Sequence, residues 1–288
     1  MDTTELLKRV RRIEIKTKGL SQQIFSGEYH SAFKGKGMAF SEVREYQYGD
    51  DIRSIDWNVT ARFNHPYIKV FEEERELTVM LLVDVSGSRE FASQDRLKKN
   101  LITELAAVLS FSAIANNDKT GAILFSDCIE KFIPPKKGRQ HILRIIRELI
   151  NFEPQSRGTN ISVALEYLIN AIKKRSTAFL ISDLMDTNYE DALKICSRKH
   201  DLIALRVYDQ REEELPNVGI VRMKDAETGR LKWVDTSNKG VRSIYNSNWR
   251  DRNKETDEIL NKHGIDFTSL ATHLDYVKPL MQLFKKRV

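Results

Sequence analysis

From residue 77 onward, short apolar segments alternate with longer segments of helical period. The first of them, Leu77 to Val85, is apolar on both faces and predicts a strand at the centre of a sheet. Further strands are predicted at 120–125, 129–133, 177–182, 202–207 and 266–270, and helices from about Ser93 and at 139–149, 162–173, 189–198, 245–263 and 274–284. This alternation is typical of a Rossmann-like α/β fold, with a mostly parallel central sheet and helices on both faces.

Two parts of the chain fall outside this alternation. Residues 216–236 predict a β-hairpin insertion, with Thr228 and Gly229 in its turn. Residues 1–76 start with a basic, helix-like segment and continue without a clean period. We therefore predict an α/β domain over residues 77–288 and an N-terminal satellite region over residues 1–76. The satellite region and the hairpin are expected to pack as a small layer against the α/β domain.

Composition narrows the class of protein. Hydrophobic residues make up 41% of the chain and charged residues 31%, which suits a globular protein and argues against a membrane bundle or a disordered chain. The longest apolar stretch is too short to cross a bilayer and no signal peptide is visible, so we expect a cytoplasmic protein without a transmembrane segment. Peripheral association with membrane protein complexes is compatible with this prediction. The two cysteines, Cys128 and Cys196, are expected to be buried free thiols.

Oxygen-bearing side chains occur in three loops at the predicted ends of strands or starts of helices. DVSGS follows the first strand, RGTNIS precedes a helix, and ISDLMD ends a later strand. In an open parallel α/β sheet, the loops at the carboxyl ends of the strands form the ligand-binding crevice. Taken alone, the Ser, Thr and Asp residues of each loop are also typical of turns and helix caps. Their combination leads us to expect convergence of Asp84, Ser86, Ser88, Thr159 and Asp183.

This set contains carboxylates and hydroxyls but no His or Cys. Such ligands favour a hard cation, with magnesium as the first choice and manganese or calcium as substitutes. Five protein oxygens, some of them acting through water, leave a coordination position that a carboxylate from another protein can fill. The sequence therefore predicts a divalent-metal site that grips an acidic residue of a partner.

The series Asp-x-Ser-x-Ser, then Thr, then Asp resembles the metal-ion-dependent adhesion site of von Willebrand factor type A domains, on the five residues named above. The resemblance implies a von Willebrand factor type A-like fold and a divalent ion held by these residues. One departure from the wider type A pattern is Leu184, which stands where a glycine usually follows the aspartate.

A narrower resemblance is to the bacterial domain-of-unknown-function family number fifty-eight. It rests on REYQYGDDIRSIDWNVTAR at residues 44–62, FEEERE at 71–76, KHDLIALRVYDQREEELP at 199–216 and the hairpin segment DAETGRLKWVD, and the similarity covers about residues 20–287. Members are commonly encoded beside MoxR-type AAA+ ATPases. The resemblance therefore implies a non-enzymatic module that acts with such an ATPase in chaperone-like assembly or activation of client proteins.

An enzyme is the main alternative. A phosphatase of the haloacid dehalogenase type would need a second Asp two residues after Asp84, where this chain has Ser86. A serine hydrolase would need a glycine-flanked elbow and a His partner, and we expect the histidines to be structural or surface residues, including His141, His200 and His263. No Walker-type loop or GxGxxG motif is present, so ATP hydrolysis would have to come from a partner. We expect no catalytic residues, with a metal-dependent hydrolase or phosphatase as the alternative.

Nucleic-acid binding is a third class. Basic residues and rings that could contact a nucleic acid occur together: Lys34, Lys36, Arg44, Arg53, Arg62, Tyr46, Tyr48 and Trp57. Asp50, Asp51 and Asp56 lie among them and would repel phosphate. We therefore favour a structural interpretation, in which the Arg and Asp side chains pair while Trp57 and Tyr46 are buried, and we expect no nucleic-acid partner.

Overall fold

The computed structural model describes residues 39–72, 77–90, 97–224 and 229–287. The described residues divide into two compact units, one that comprises residues 39–72 and 77 and another that comprises the described residues from 78 onward. The basic start of the chain, the predicted cap Ser93 and the hairpin turn residue Thr228 lie outside the described residues. The predicted packing of the satellite region against the α/β domain stays a prediction.

The smaller unit is an antiparallel strand pair with a helical connection. Strand β1 (Ala39–Glu45) pairs with β2 (Tyr67–Glu72), and a 3-10 turn (Ile52–Ser54) and helix α1 (Trp57–Phe63) lie between them. The Asp56 carboxylate caps α1 by accepting the backbone N–H groups of Asn58 and Val59.

One of the expected pairs of basic and acidic groups in this unit, Arg44 with Asp50, is present. Arg44 donates two hydrogen bonds to the carboxylate of Asp50, at 2.8 and 2.7 Å. Trp57, in contrast, is 68% exposed, so its predicted burial is wrong. Trp57 is the first residue of α1, a helix of seven residues in which no residue is buried.

The larger unit is built on strands and helices that follow the predicted alternation. They are β3 (Thr78–Asp84), α2 (Lys98–Ala115), β4 (Lys119–Phe125), β5 (Ile129–Lys136), α3 (Arg139–Asn151), α4 (Ile161–Ala171), β6 (Thr177–Ser182), α5 (Glu190–Lys199), β7 (Asp201–Tyr208), α6 (Gln210–Glu213), β8 (Ile220–Lys224), β9 (Leu231–Asp235), α7 (Lys239–Lys262), β10 (Asp266–Ala271) and α8 (Val277–Lys285).

Six of these strands form one sheet in the order β5-β4-β3-β6-β7-β10. Every neighbouring pair is parallel except β4 and β5, which form an antiparallel edge. Numbered along the chain, the order is 3-2-1-4-5-6, that of a doubly wound Rossmann-type sheet. The predicted α/β fold with a mostly parallel sheet is thus confirmed. In this order the chain reverses its direction of progress between β3 and β6, and this junction is where a ligand crevice is expected.

Alternate side chains of the central strands face opposite layers of helices. Met80, Leu82 and Leu180 pack in a buried cluster with residues of α4 and α5. On the neighbouring position of β6, Phe179 instead contacts Phe284 of α8, with ring centroids 6.2 Å apart. Because both faces of these strands are covered, they read as continuous apolar runs rather than as an alternating pattern.

The hairpin forms as predicted, and the helix after it begins earlier than predicted. Strands β8 and β9 pair antiparallel in a two-stranded sheet of their own. Helix α7 begins at Lys239, six residues before the predicted start at Tyr245, because Asn238 accepts the N–H of Gly240 and caps it. The sequence signal was Asn238, a residue that favours the helix N-cap.

The cysteine prediction holds for one residue and fails for the other. Both thiols are free, and Cys196 is buried in the core, which raises the pKa of its thiol to about 12. Cys128 is exposed, because it lies in the short turn between β4 and β5 rather than on a strand.

None of the helices in the described ranges combines the length and the apolar composition that crossing a membrane requires. The cytoplasmic location stays a prediction.

The histidines named above have structural roles in this unit. The ring of His200 is fully buried, and its Nδ1 lies 3.0 Å from Ser176 Oγ. His141 Nε2 lies 2.9 Å from the carbonyl oxygen of Thr120, and His263 Nε2 lies 3.0 Å from Glu190 Oε1. Burial is the main reason that the pKa of His200 falls from 6.5 to about 4.

The low pKa of His200 predicts an acid-labile fold. As pH falls, the unfolded chain takes up the proton first, so the free energy of unfolding contributed by this ring is constant above pH 6.5 and is lost between pH 6.5 and about 4. We expect the wild type to lose on the order of 2 kcal/mol more over this interval than His200→Asn. Urea unfolding at several pH values measures the difference, and parallel curves for the two proteins would contradict the prediction.

Candidate functional site

The carboxylate of Asp84 lies at the junction of β3 and β6. Asp84 is the last residue of β3 and is only 3% exposed. Its Oδ1 accepts the backbone N–H of Ser86 at 2.9 Å, and its Oδ2 accepts the hydroxyl of Ser182 at 2.7 Å. The Ser182 Oγ also accepts the N–H of Leu184 at 3.1 Å. Ser182, which the sequence analysis did not single out, therefore ties the loop after β3 to the loop after β6.

The second carboxylate, Asp183, immediately follows β6. Its Oδ1 accepts the N–H of Met185 at 3.3 Å, and the hydroxyl of Ser88 hydrogen-bonds to the same carboxylate. Ser88 Oγ in turn lies 3.2 Å from Ser86 Oγ. Four of the five predicted residues are thus linked by hydrogen bonds into one chain that runs from Asp84 to Asp183.

The position of Thr159 is set by its backbone neighbours. The loop before α4 is held to the loop after β3 by the hydrogen bond from Gly87 N–H to the carbonyl oxygen of Arg157, at 3.0 Å. On its other side, Ile161 N–H donates to Asp186 Oδ2 at 2.7 Å, which ties the start of α4 to the loop after β6. Thr159 lies between these two anchors and is partly buried. The structure therefore brings all three predicted loops to one edge of the sheet.

Leu184 explains how the loop after β6 tolerates the missing glycine. Its φ angle is +59°, in the left-handed region that a glycine adopts without strain. The Leu184 side chain is 1% exposed and belongs to the same buried cluster as Leu180 and Leu193. Packing of this side chain therefore offsets the cost of the left-handed backbone, and the loop keeps the shape that a glycine would allow.

A buried lysine is the feature of the site that the sequence did not predict. Lys98 is the first residue of α2 and is 1% exposed. Its Nζ donates to Asp183 Oδ2 at 3.1 Å and to the two oxygens of Glu212 at 2.8 and 3.1 Å. Burial lowers the pKa of Lys98, but the two carboxylates outweigh burial and raise it above its ordinary value, so the group is an ammonium ion.

The two aspartates of the site are in different electrostatic states. Burial, together with the negative charge of Asp183, raises the pKa of Asp84 to about 6. Burial also acts to raise the pKa of Asp183, but the ammonium of Lys98 and the hydroxyl of Ser88 outweigh it and hold that pKa below its usual value. Asp183 therefore contacts an ammonium, whereas Asp84 is held by the Ser86 N–H and the Ser182 hydroxyl.

The donor set and the charge of this cluster fit a divalent cation. The cluster contains three carboxylates, those of Asp84, Asp183 and Glu212, and one ammonium, that of Lys98, which contacts Asp183 and Glu212. When all four groups are ionised, two negative charges have no counter-ion among them. The neighbouring hydroxyls are hard oxygen ligands. Within the described residues, no three His, Cys, Asp or Glu side chains form a group that could hold a metal by themselves. Binding at this edge would therefore depend on the hydroxyl oxygens.

Comparison with known proteins assigns the family. Residues 42–255 match the family described as "Protein of unknown function DUF58". The chain belongs to this family. The DUF58 match takes in most of the strand pair of the smaller unit, from residue 42 of β1 onward, and the candidate site from Asp84 to Glu212.

Two relatives of this DUF58 protein are each described as an uncharacterized protein. The protein Rv1480 of Mycobacterium tuberculosis is 31% identical over 232 residues, which are 80% of this chain and 73% of that protein. The protein YeaD of Bacillus subtilis is 32% identical over 110 residues, which are 38% of this chain and 25% of that protein.

A solved structure shares the fold. The chain is similar to an aerotolerance-related membrane protein from Bacteroides fragilis, with a TM-score of 0.50 and 15% sequence identity, over 73% of this chain and 98% of that one. This likeness concerns the α/β fold alone.

The backbone at Leu184 leads to a testable inversion. Replacing a fully buried leucine by alanine costs about 2–5 kcal/mol, while glycine regains about 1 kcal/mol at a left-handed position. We expect Leu184→Gly to be less destabilised than Leu184→Ala by about 1 kcal/mol. At Leu180, which is equally buried in a regular strand, the order of the same two variants should be reversed. Urea unfolding measures the free energy of unfolding of the four variants. If Gly and Ala ranked in the same order of stability at both positions, the explanation by the left-handed backbone of Leu184 would be wrong.

Proposed function

We propose that the carboxyl edge of the sheet at β3 and β6 is a docking site for an acidic side chain of a partner protein, held through a divalent cation. The observation that carries this proposal is the hydrogen-bonded chain from Asp84 through Ser86 and Ser88 to Asp183, with two negative charges uncompensated nearby. Magnesium is our first choice of ion, and manganese or calcium are substitutes.

The residues of the site supply charged ligands, neutral ligands and a contact that positions one of the ligands. Asp84 and Asp183 supply the negative charge, while the hydroxyls of Ser86, Ser88 and Thr159 supply neutral oxygens and add no charge. A bound divalent ion would supply a positive charge that accepts one further oxygen ligand from outside the chain. Ser182 holds Asp84 in place, so that the carboxylate need not reorganise on binding.

We further propose that the module is not an enzyme. A phosphatase of the dehalogenase type has its second Asp at the position of Ser86. The Ser86 hydroxyl lies 3.2 Å from the hydroxyl of Ser88 and cannot act as the acid or base that such an Asp provides. The three histidines described above interact with Ser176, with the carbonyl of Thr120 and with Glu190. None of these contacts activates a serine of the site.

The proposed partner is an ATPase of the MoxR AAA+ type, as the family resemblance implies, together with a client protein that offers an Asp or Glu. Since the chain has no Walker-type loop, the energy to release such a contact would come from the partner. Chaperone-like assembly or activation of the client is the function that we infer from this division of roles. A cytoplasmic location and peripheral association with membrane complexes fit the proposal.

The contacts within the smaller unit argue against a nucleic-acid interface there. Arg44 is engaged by both oxygens of Asp50, and Lys69 lies 3.3 Å from Asp56 Oδ2. These cations are already paired within the chain, and phosphate would have to compete with a carboxylate for them.

The first test of the proposal is metal-dependent binding. A pull-down with and without chelator identifies the partner, and calorimetry then measures its affinity. We expect binding in magnesium, and loss of binding with chelator or in Asp84→Ala. Ser86→Ala should weaken binding less, since it removes one neutral ligand. Because Asp183 repels the buried Asp84 carboxylate, the free energy of unfolding of Asp84→Ala should lie within about 1 kcal/mol of that of the wild type.

The control for this test is Asp191→Ala, which removes an exposed aspartate at the start of α5. It should bind as the wild type does. Equal affinity for the wild type and Asp84→Ala, in magnesium and in chelator alike, would contradict the proposal.

The second test concerns catalysis. The purified protein is expected to turn over neither p-nitrophenyl phosphate nor p-nitrophenyl acetate in the presence of magnesium or manganese, because Ser86, two residues after Asp84, cannot transfer a proton near neutral pH. Metal-dependent turnover that disappears in Asp84→Asn would show that the module is a hydrolase instead.

A further inference from the structure

The buried ammonium of Lys98 connects the candidate site to a second acidic group. Lys98 Nζ lies 3.1 Å from Asp183 Oδ2 and 2.8 Å from Glu212 Oε1. The Lys98 side chain is 1% exposed and that of Glu212 is 21% exposed, so water screens this pair of contacts weakly. Lys98 is therefore a fixed positive charge in contact with one of the two aspartates of the site.

Glu212 is itself held in place by the turn after β7. Its Oε2 accepts the N–H of Asp209 at 2.8 Å, and the Asp209 side chain caps α6 by accepting the N–H of Arg211. The other carboxylate oxygen of Asp209 accepts the hydroxyl of Thr272, just after β10, at 2.8 Å. Because these bonds fix Glu212 from behind, it competes with Asp183 for the ammonium from a constant position.

We propose that Lys98 and Glu212 are positioning residues that set the affinity of the site for divalent cations: Lys98 weakens binding by supplying positive charge to Asp183, and Glu212 strengthens it by drawing Lys98 away. This inference rests on the proposed function, since it assumes that Asp183 is a ligand. It extends that function by assigning opposite effects to two residues that hydrogen-bond to each other.

The opposite signs follow from the charges. A cation that approaches Asp183 meets the repulsion of Lys98, and because the Lys98 side chain is only 1% exposed, water screens this repulsion weakly. Without the ammonium, the full negative charge of Asp183 would attract the incoming ion. Without the charge of Glu212, Lys98 would pair with Asp183 alone, and less negative charge would remain for the ion.

The same reasoning predicts that the chain can fold before a metal binds. Lys98 partly neutralises Asp183 from within the chain, and this lowers the electrostatic cost of burying the Asp84 carboxylate, which is only 3% exposed, beside it. Removal of Lys98 should therefore make stability depend on the cation. This dependence distinguishes an electrostatic role from simple loss of packing, which a cation would not restore.

The test is a titration of each purified full-length protein with Mn²⁺ alone, followed by the EPR signal of the free ion and by the melting temperature. Relative to the wild type, Lys98→Met should bind Mn²⁺ at least tenfold more tightly, and Glu212→Gln should bind it more weakly by a factor of about three to ten. Lys98→Met should also melt at a lower temperature in chelator and regain more stability from Mn²⁺ than the wild type does.

Two controls separate this inference from the proposed function. Asp84→Ala should lose Mn²⁺ binding. Lys131→Met should bind Mn²⁺ as the wild type does, because Lys131 of β5 pairs with Glu148 of α3 and not with a residue of the site.

If the wild type and Asp84→Ala bind Mn²⁺ alike, or neither binds it, the proposed function fails and the inference with it. If Asp84→Ala alone loses binding while Lys98→Met and Glu212→Gln match the wild type, or shift in the same direction, only the inference is overturned. Glu212→Gln keeps the test decisive should Lys98→Met not fold, since Glu212 is partly exposed and Gln preserves its shape.

Discussion

The hydrogen bond from Ser182 to Asp84 joins the two central strands at the point where the sheet changes direction. It brings one buried carboxylate to within reach of another, Asp183, because parallel neighbours end at the same edge. Two buried carboxylates at one edge of the sheet repel each other, and the fold therefore needs groups that stabilise their negative charge. Backbone N–H groups, serine hydroxyls and the ammonium of Lys98 each stabilise part of the negative charge.

Much of the fold could be predicted from the order of apolar segments. β6 was predicted with its observed bounds, and the other strands of the sheet within three residues, since runs apolar on both faces have few alternatives to a central strand. The two aspartates of the site followed from the same reasoning, because each is placed at the end of such a run. The start of α7 and the exposure of Cys128 were missed, since the first depends on a single capping residue and the second on the length of a turn.

The rest of the site could not be predicted because its signals are not local. Lys98 opens a helix, where a lysine ordinarily reaches solvent, and only the path of the chain places it between Asp183 and Glu212. Asp186 caps a helix that begins twenty-five residues before it. In the smaller unit, by contrast, two acidic residues of the segment 44–62 have local roles: Asp56 caps a helix and Asp50 pairs with Arg44.

The distance along the chain between the groups of the site has a consequence for how the protein is made. Asp84 and Ser182 are separated by 98 residues, and Lys98 and Glu212 by 114. Contacts this remote close only after the intervening strands have found their neighbours, so they belong to the late, slow part of folding. Unlike a metal loop formed by a dozen consecutive residues, this edge cannot serve as a nucleus. It forms only when the sheet is complete, so a nascent or misfolded chain lacks the arrangement of side chains described here.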